Sequence, residues 1–328
     1  MMTFGGKRLY IQEVSTRDGF QIEPTFIPTD QKVALIDGLS RAGIAKIEVT
    51  SFSSPRAIPA LADAEQVLQR IVRVPGVEYS ALVPNVRGCV RAMQSDVDEI
   101  NVVISASETH NRANVRTSCE QSLAGIREIA ELVRSRVHLN VSISTAFGCP
   151  FEGEIGSARV MHFIERFRQI GVTRISLCDT TGVANPAQVH RLCGDALAAW
   201  PGITFTAHFH DTRAMGLANA LAALDAGINR FDASLGGLGG CPFAPGASGN
   251  VCTEDMVHMF NAMGYETGVD LDALIGLARG LPSIVGHEIP GQVIRAGVSS
   301  RRFPKPDWLG DASNPVSPDA GGKRGLAE

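Results

Sequence analysis

The chain has no dense basic cluster: 30 Lys and Arg stand against 34 Asp and Glu, for a formal charge of -4. Nucleic acid and anionic membrane are therefore not expected partners, because both reward a positive face. No stretch approaches the ~20 apolar residues that span a bilayer, and Met1 to Gly6 lack the apolar centre of a secretory signal. A cytoplasmic location is expected. Cysteine is scarce and unpatterned. Cys89, Cys119, Cys149, Cys178, Cys193, Cys241 and Cys252 show no paired spacing, and their odd number argues against a disulfide framework. Most read as small buried apolar residues. No G-x-G-x-x-G follows the first strand candidate, which removes the phosphate cradle of a doubly wound sheet, the structural alternative.

What is present is a globular composition, 44% hydrophobic and 20% charged over 328 residues, enough for one large α/β barrel or two ordinary domains. Short β-branched runs alternate with longer amphipathic segments as far as about residue 265. Eight strand candidates result: Leu9–Val14, Ala45–Thr50, Tyr79–Val83, Glu99–Ile104, Leu139–Ser144, Arg174–Cys178, Ile203–Phe209 and Arg230–Leu235. Each precedes a plausible helix, so the expected fold is an α/β, (β/α)8 TIM barrel. Nearly apolar runs such as Ile100–Ile104 suit parallel strands covered by helices. Thr29 is expected to cap a helix over Gln31–Arg41, and Asn185-Pro186 to open one running to Ala199. Leu271 to Leu281 reads as an additional C-terminal helix. A catalytic domain over 1–302 is expected, followed by a mobile tail over 303–328 rich in Pro and Gly.

In a barrel the active site lies where the βα loops converge, beyond the strands' C-terminal ends. Ionisable residues collect there: Asp18 after strand one, Glu48 and Asp179 closing strands two and six, His208 and His210 closing strand seven, and Cys241 with Asn250 after strand eight. His208 and His210, two apart on a strand, share a face; an H-x-H alone fits a core or surface pair equally well. Asp211-Thr212 could supply an acceptor that fixes an imidazole tautomer. Two imidazoles, a carboxylate and an amide oxygen favour Mg²⁺ or Mn²⁺, with zinc still open. Cys241 sits in GGLGGCPFAPGASGN, glycine-rich enough to approach a ligand closely and to close as a lid, or to be a plain flexible connection.

These residues fall in motifs that resemble the 3-hydroxy-3-methylglutaryl-CoA lyases, within the wider family of metal-dependent TIM-barrel lyases and condensing enzymes. The motifs are EVSTRDGFQ, IEVTSFSSP, GCPFEGEI, SLCDTTGV, HFHDT and GGLGGCPFAPGASGNVCTEDMV. The resemblance implies a metal held by Asp18, His208, His210 and Asn250, with Arg17 neutralising an enolate oxygen and Cys241 transferring a proton. Glu48, Asp179 and Glu254 would complete the polar network, and Arg17, Gln21, Ser51 and Arg213 would bind substrate. The implied partner is an acyl-CoA thioester and the implied assembly a homodimer. The activity so implied is cleavage of 3-hydroxy-3-methylglutaryl-CoA. Alternatives are the same cleavage of citramalyl-CoA or a longer branched homologue, condensation of an acyl-CoA with an oxo acid, or acyl-CoA binding without turnover. The sequence departs from the family at Ile22, Pro24, Phe151, Cys178 and Arg213, where the family carries Asn, Lys, Tyr, Gly and Tyr. A reshaped acyl pocket is expected, with Arg213 restoring the missing cation from the opposite side.

Overall fold

The computed structural model describes residues 6–134, 136–240 and 249–306. Eight parallel strands close into a barrel in sequential order: β1 Tyr10–Glu13, β2 Lys46–Ser51, β3 Glu78–Leu82, β4 Glu99–Ser105, β5 His138–Ser144, β6 Arg174–Asp179, β7 Thr204–Phe209 and β8 Arg230–Ala233. β8 returns to β1 in register, with Tyr10 opposite Arg230 and Glu13 opposite Ala233. All eight strand expectations hold within a residue or two at their ends. The helices between them are α1 Thr29–Arg41, α2 Ala64–Arg70, α3 Val86–Met93, α4 Glu108–Val115, α5 Cys119–Val133, α6 Ser157–Gln169, α7 Pro186–Ala199 and α8 Gly216–Ala226. After β8 come α9 Thr253–Ala262, α10 Leu271–Val285 and α11 Val293–Ala296. No helix among the described residues is long and apolar enough to cross a membrane.

Alternation along the strands sorts their side chains. Outward positions such as Ile11, Ile47, Val49, Ile100, Val102, Val141, Ile143, Leu177, Phe205 and Phe231 are buried in the hydrophobic core beneath the helices. The inward positions are polar and bond across the lumen: Gln12 Nε2 donates to Thr206 Oγ1 at 3.3 Å, Asn140 Nδ2 to Ser176 Oγ at 3.0 Å and Ser142 Oγ to Asn101 Oδ1 at 2.8 Å. The expectation of nearly apolar strands is thus half met, because the inner face repays its desolvation with hydrogen bonds instead of branched aliphatic layers. Toward the strands' N-terminal ends Lys46 Nζ meets Glu99 Oε1 at 2.6 Å, and Arg174 Nη1 meets Glu99 Oε2 at 2.7 Å and Glu78 Oε1 at 2.6 Å.

Asn185 caps α7 as expected, its side chain accepting from Gln188 N at 3.0 Å. Thr29 does not cap α1: Pro28 occupies that position, and Thr29 Oγ1 donates instead to Asp63 Oδ2 at 2.7 Å. α10 runs four residues past Leu281 and takes Pro282 within it. By compactness the chain forms two units, Met1–Ala296 and Gly297–Glu328. In the described part of the second, Arg301 N donates to Val298 O at 3.0 Å, and the Arg301 guanidinium lies 4.7 Å from the ring centre of the exposed Phe303.

Candidate active site

Immediately beyond β1 the chain makes one wide helical turn, Ser15–Gly19, of the π type often found at functional sites. Val14 O accepts from Arg17, Asp18 and Gly19 N–H at 3.1, 2.7 and 3.4 Å. The turn presents Arg17 and Asp18 together at the mouth of the barrel. Arg17 Nε reaches Glu48 Oε2 at 2.5 Å, and its Nη1 reaches Asp18 Oδ1 at 2.5 Å. Asn101 Nδ2 occupies the other Glu48 oxygen at 2.7 Å. From the opposite wall, His210 Nε2 lies 4.0 Å from Asp18 Oδ2, and the His208 and His210 ring centres are 5.3 Å apart. Backbone pairing between His210 and Asn250 brings the segment after β8 onto β7. Gly239, at φ 103°, lets that segment close in: a Cβ there would stand 2.6 Å from Asn250 Nδ2 and 3.1 Å from Asp18 Oδ2.

Asp18, His208 and His210 are all buried, and each offers one ligand atom within 4.8 Å of the others. Asn250 Nδ2 donates to Asp18 Oδ2 at 2.7 Å and to Leu238 O at 3.0 Å, which fixes its amide. Its buried Oδ1 then has no hydrogen-bond partner among the described residues. A buried acceptor without a donor costs ~1–3 kcal/mol, and a cation satisfies it. Charge agrees, since Asp18, Glu48 and Asp232 gather around the single guanidinium of Arg17. Burial pushes the Asp18 carboxyl up, but Arg17 and the two imidazoles outweigh it and hold the group at about 2. A carboxylate that stays ionised, two imidazoles and an orphan amide oxygen fit a divalent metal.

Asp232, on β8, is the residue sequence reasoning missed. His208 Nδ1 lies 3.2 Å from Asp232 Oδ2, the acceptor role expected of Asp211. Asp211 instead receives Gly216 N at 2.7 Å at the start of α8. Burial lowers the pKa of His208, and Asp232 overcomes it and raises it. Glu48 is the third of six residues in β2 rather than its last, and reaches the mouth through Arg17. Asp179 closes β6 as expected, but its oxygens accept Val183 and Ala184 N–H at 2.9 and 3.1 Å and so shape the following loop.

Glu254 is fully buried outside the metal-ligand cluster, its Oε2 accepting Gly236 N at 3.0 Å. Ser51, the last residue of β2, donates to Ser53 Oγ at 2.8 Å, and Gln21 Oε1 is buried without a partner among the described residues. Arg213 donates to the carbonyls of Thr181 and Gly182 at 3.2 and 3.0 Å and so braces that loop. Ile22 is 43% exposed, and Glu23 is partnered by His287 at 3.1 Å. Cys241 and the expected tail beyond residue 306 lie outside the described residues.

A closed βα barrel with an Arg-Asp turn, paired histidines and an orphan amide oxygen at its mouth defines a TIM-barrel enzyme with a candidate metal centre. The HMGL-like family model matches residues 8–280. Hydroxymethylglutaryl-CoA lyase YngG of Bacillus subtilis is 43% identical over 90% of this chain and 99% of its own. (R)-citramalyl-CoA lyase of Chloroflexus aurantiacus is 41% identical over 88% of this chain and 94% of its own. Among solved structures, an HMG-CoA lyase from Acinetobacter baumannii in complex with coenzyme A and 3-methylmalate superposes with a TM-score of 0.88. It is 50% identical, covering 91% of this chain and 98% of that one. The chain belongs to the HMGL-like family, and its fold and relatives make it a lyase.

Proposed function

We propose that the protein cleaves a 3-hydroxyacyl-CoA by a metal-assisted retro-Claisen reaction, with 3-hydroxy-3-methylglutaryl-CoA giving acetyl-CoA and acetoacetate. The observation that carries this reading is the buried cluster of Asp18, His208, His210 and Asn250 beside Arg17, in a chain whose relatives are lyases of this kind. Those four residues would hold the metal. With Mg²⁺ or Mn²⁺ held there, the site would supply Lewis-acid polarisation of the substrate's oxygens. When its Nε2 is not serving as a ligand, His208, held through Nδ1 by Asp232, receives the hydroxyl proton. The carbon–carbon bond then breaks, and its electron pair passes into the thioester as an enolate, whose oxygen Arg17 stabilises. Arg17 is held in place by Glu48, which Asn101 holds in turn. Cys241 gives a proton to the enolate carbon and releases acetyl-CoA. Asp179 and Glu254 act at one remove by fixing the loops after β6 and β8. Gln21 and Ser51 contribute to substrate binding with Arg17, and Arg213 through the loop it braces.

The second reading, cleavage of citramalyl-CoA, is favoured by the 41% identity to a lyase of that name. Within the proposal the catalytic body spans residues 1–302, with 303–328 outside it, and the enzyme works as a cytoplasmic homodimer. The test is acetyl-CoA release from a panel of 3-hydroxyacyl-CoA thioesters with Mg²⁺ or Mn²⁺. Release from hydroxymethylglutaryl-CoA above all others is expected. Preferential release from citramalyl-CoA moves the assignment to the second reading, and no release from any thioester overturns both.

A further inference from the structure

At the opposite end of the barrel, where the strands begin, lies a cavity of about 1490 Å³. Arg8, Arg41, Arg134, Arg136, Arg174 and Arg230 stand on its wall with Tyr10. Every acid on that wall is already paired: Glu78 with Arg174 at 2.6 Å, and Asp96 and Asp98 with Arg73 at 3.9 and 2.6 Å. Arg8, Arg41, Arg134, Arg136 and Arg230 have no carboxylate within ion-pairing distance among the described residues. In a chain of net charge -4, this face carries an uncompensated positive charge.

Two of these arginines are seated on aromatic and backbone surfaces. Arg230 lies 4.2 Å and Arg8 5.9 Å from the centre of the same Tyr10 ring. The Arg8 guanidinium also rests on Gly268, where a Cβ would come within 2.3 Å of it. Stacking orders the two side chains while leaving their N–H forks available, and the forks match phosphate oxygens.

We propose that this cavity is a second binding site, separate from the barrel mouth, for a small polyanion bearing linked phosphates. A nucleotide and an inorganic polyphosphate present the same chemistry. The test is calorimetric titration of the full chain with inorganic triphosphate and with ATP at physiological salt. The parent, Arg8→Met, Arg8→Met/Arg230→Met, Gly268→Ala and the mouth variant His210→Ala are compared.

Both ligands are expected to bind the parent and His210→Ala alike. Arg8→Met, which removes an exposed side chain and leaves the core untouched, is expected to weaken binding about tenfold, and the double variant further. Gly268→Ala should imitate Arg8→Met by unseating its guanidinium. Equal affinity for the two ligands assigns the site to the phosphate chain; tighter ATP binding assigns it to nucleotides. The inference is overturned if neither ligand binds, if His210→Ala abolishes binding, or if the double variant binds within twofold of the parent.

Discussion

The barrel holds two ionic clusters, and they are built on opposite terms. Near the strand starts, Lys46 and Arg174 meet Glu78 and Glu99 in three short contacts, so charge is balanced inside the protein. At the mouth three carboxylates face one guanidinium, and Asn250 Oδ1 is left without a donor among the described residues. The first cluster completes itself, while the second is completed by something that arrives. Buried polar groups that the protein does not satisfy mark where a ligand belongs, and buried charges that it does satisfy mark where the fold is held.

The mouth should therefore be the more sensitive end for function. His210→Ala removes one of the proposed ligands, and the expected loss is several kcal/mol of transition-state stabilisation, on the order of a thousandfold or more in turnover. Mn²⁺ affinity measured on the same preparation should fall in parallel. An unchanged affinity would refute the ligand assignment. Cys241→Ser comes next. If Cys241 supplies the proton, single-turnover cleavage should drop by ~10²–10⁴ while metal content stays at the parent's value; a near-normal rate would make the cysteine a bystander.

The floor should answer with stability alone. Lys46→Met leaves Glu99 buried with only Arg174, and breaking such a pair costs ~3–5 kcal/mol, here toward the lower end because Arg174 still holds one oxygen. Lys46→Met/Glu99→Leu removes both charges and should recover most of that loss. Urea unfolding reads both variants, and the folded fraction should keep the parent's turnover. A large loss of turnover per folded molecule would erase the division between the two ends.

The same contrast appears in proton affinity. Burial raises the pKa of Glu99, but Lys46 and Arg174 prevail and lower it. Burial also raises Glu254, backbone hydrogen bonds from Gly236 and from Glu254's own N–H oppose it, and there burial wins, at about 7. A folded pKa above the unfolded value of ~4.3 means that the folded protein keeps a proton the unfolded chain has released. That stability is present in full below the unfolded value and is lost as pH rises through about 7. Glu254→Gln should flatten the dependence, an effect of up to about 3 kcal/mol. Parallel unfolding curves for parent and variant across pH 5–8 would show that the carboxyl ionises normally.

How much of this was legible in the sequence follows from the range of each signal. Strands were readable because β-branched residues recur at outward positions, and the mouth residues because they sit beside turn and glycine motifs. The polar lumen was harder to see: Asn101 stands among apolar neighbours in INVVIS, and nothing local to it announces the bonds it makes to Glu48, Asn140 and Ser142. Thr29 showed the opposite failure. Its local chemistry suits a cap, but Asp63, 34 residues away, claims its hydroxyl. Asp232 left no local trace, because RFDASL reads the same whether its Asp faces water or an imidazole 24 residues earlier.

That missed residue gives the smallest and most discriminating expectation. His208 Nδ1 is committed to Asp232, which leaves Nε2 either to ligate the metal or to receive the hydroxyl proton, one at a time. Asp232→Asn keeps the shape of the side chain but removes its charge. Loss of such a partner typically costs 10–100-fold in metal affinity or activity. If the pair chiefly orients a ligand, Mn²⁺ affinity falls by that factor, and turnover at saturating Mn²⁺ returns close to the parent's. If instead it accepts the proton as proposed, Mn²⁺ affinity changes little and turnover stays depressed however much metal is added. Titrating turnover against Mn²⁺ in parent and variant separates the two. A variant that matched the parent in both affinity and saturated turnover would reduce the Asp232 contact to packing and leave the base to be sought among the other residues at the mouth.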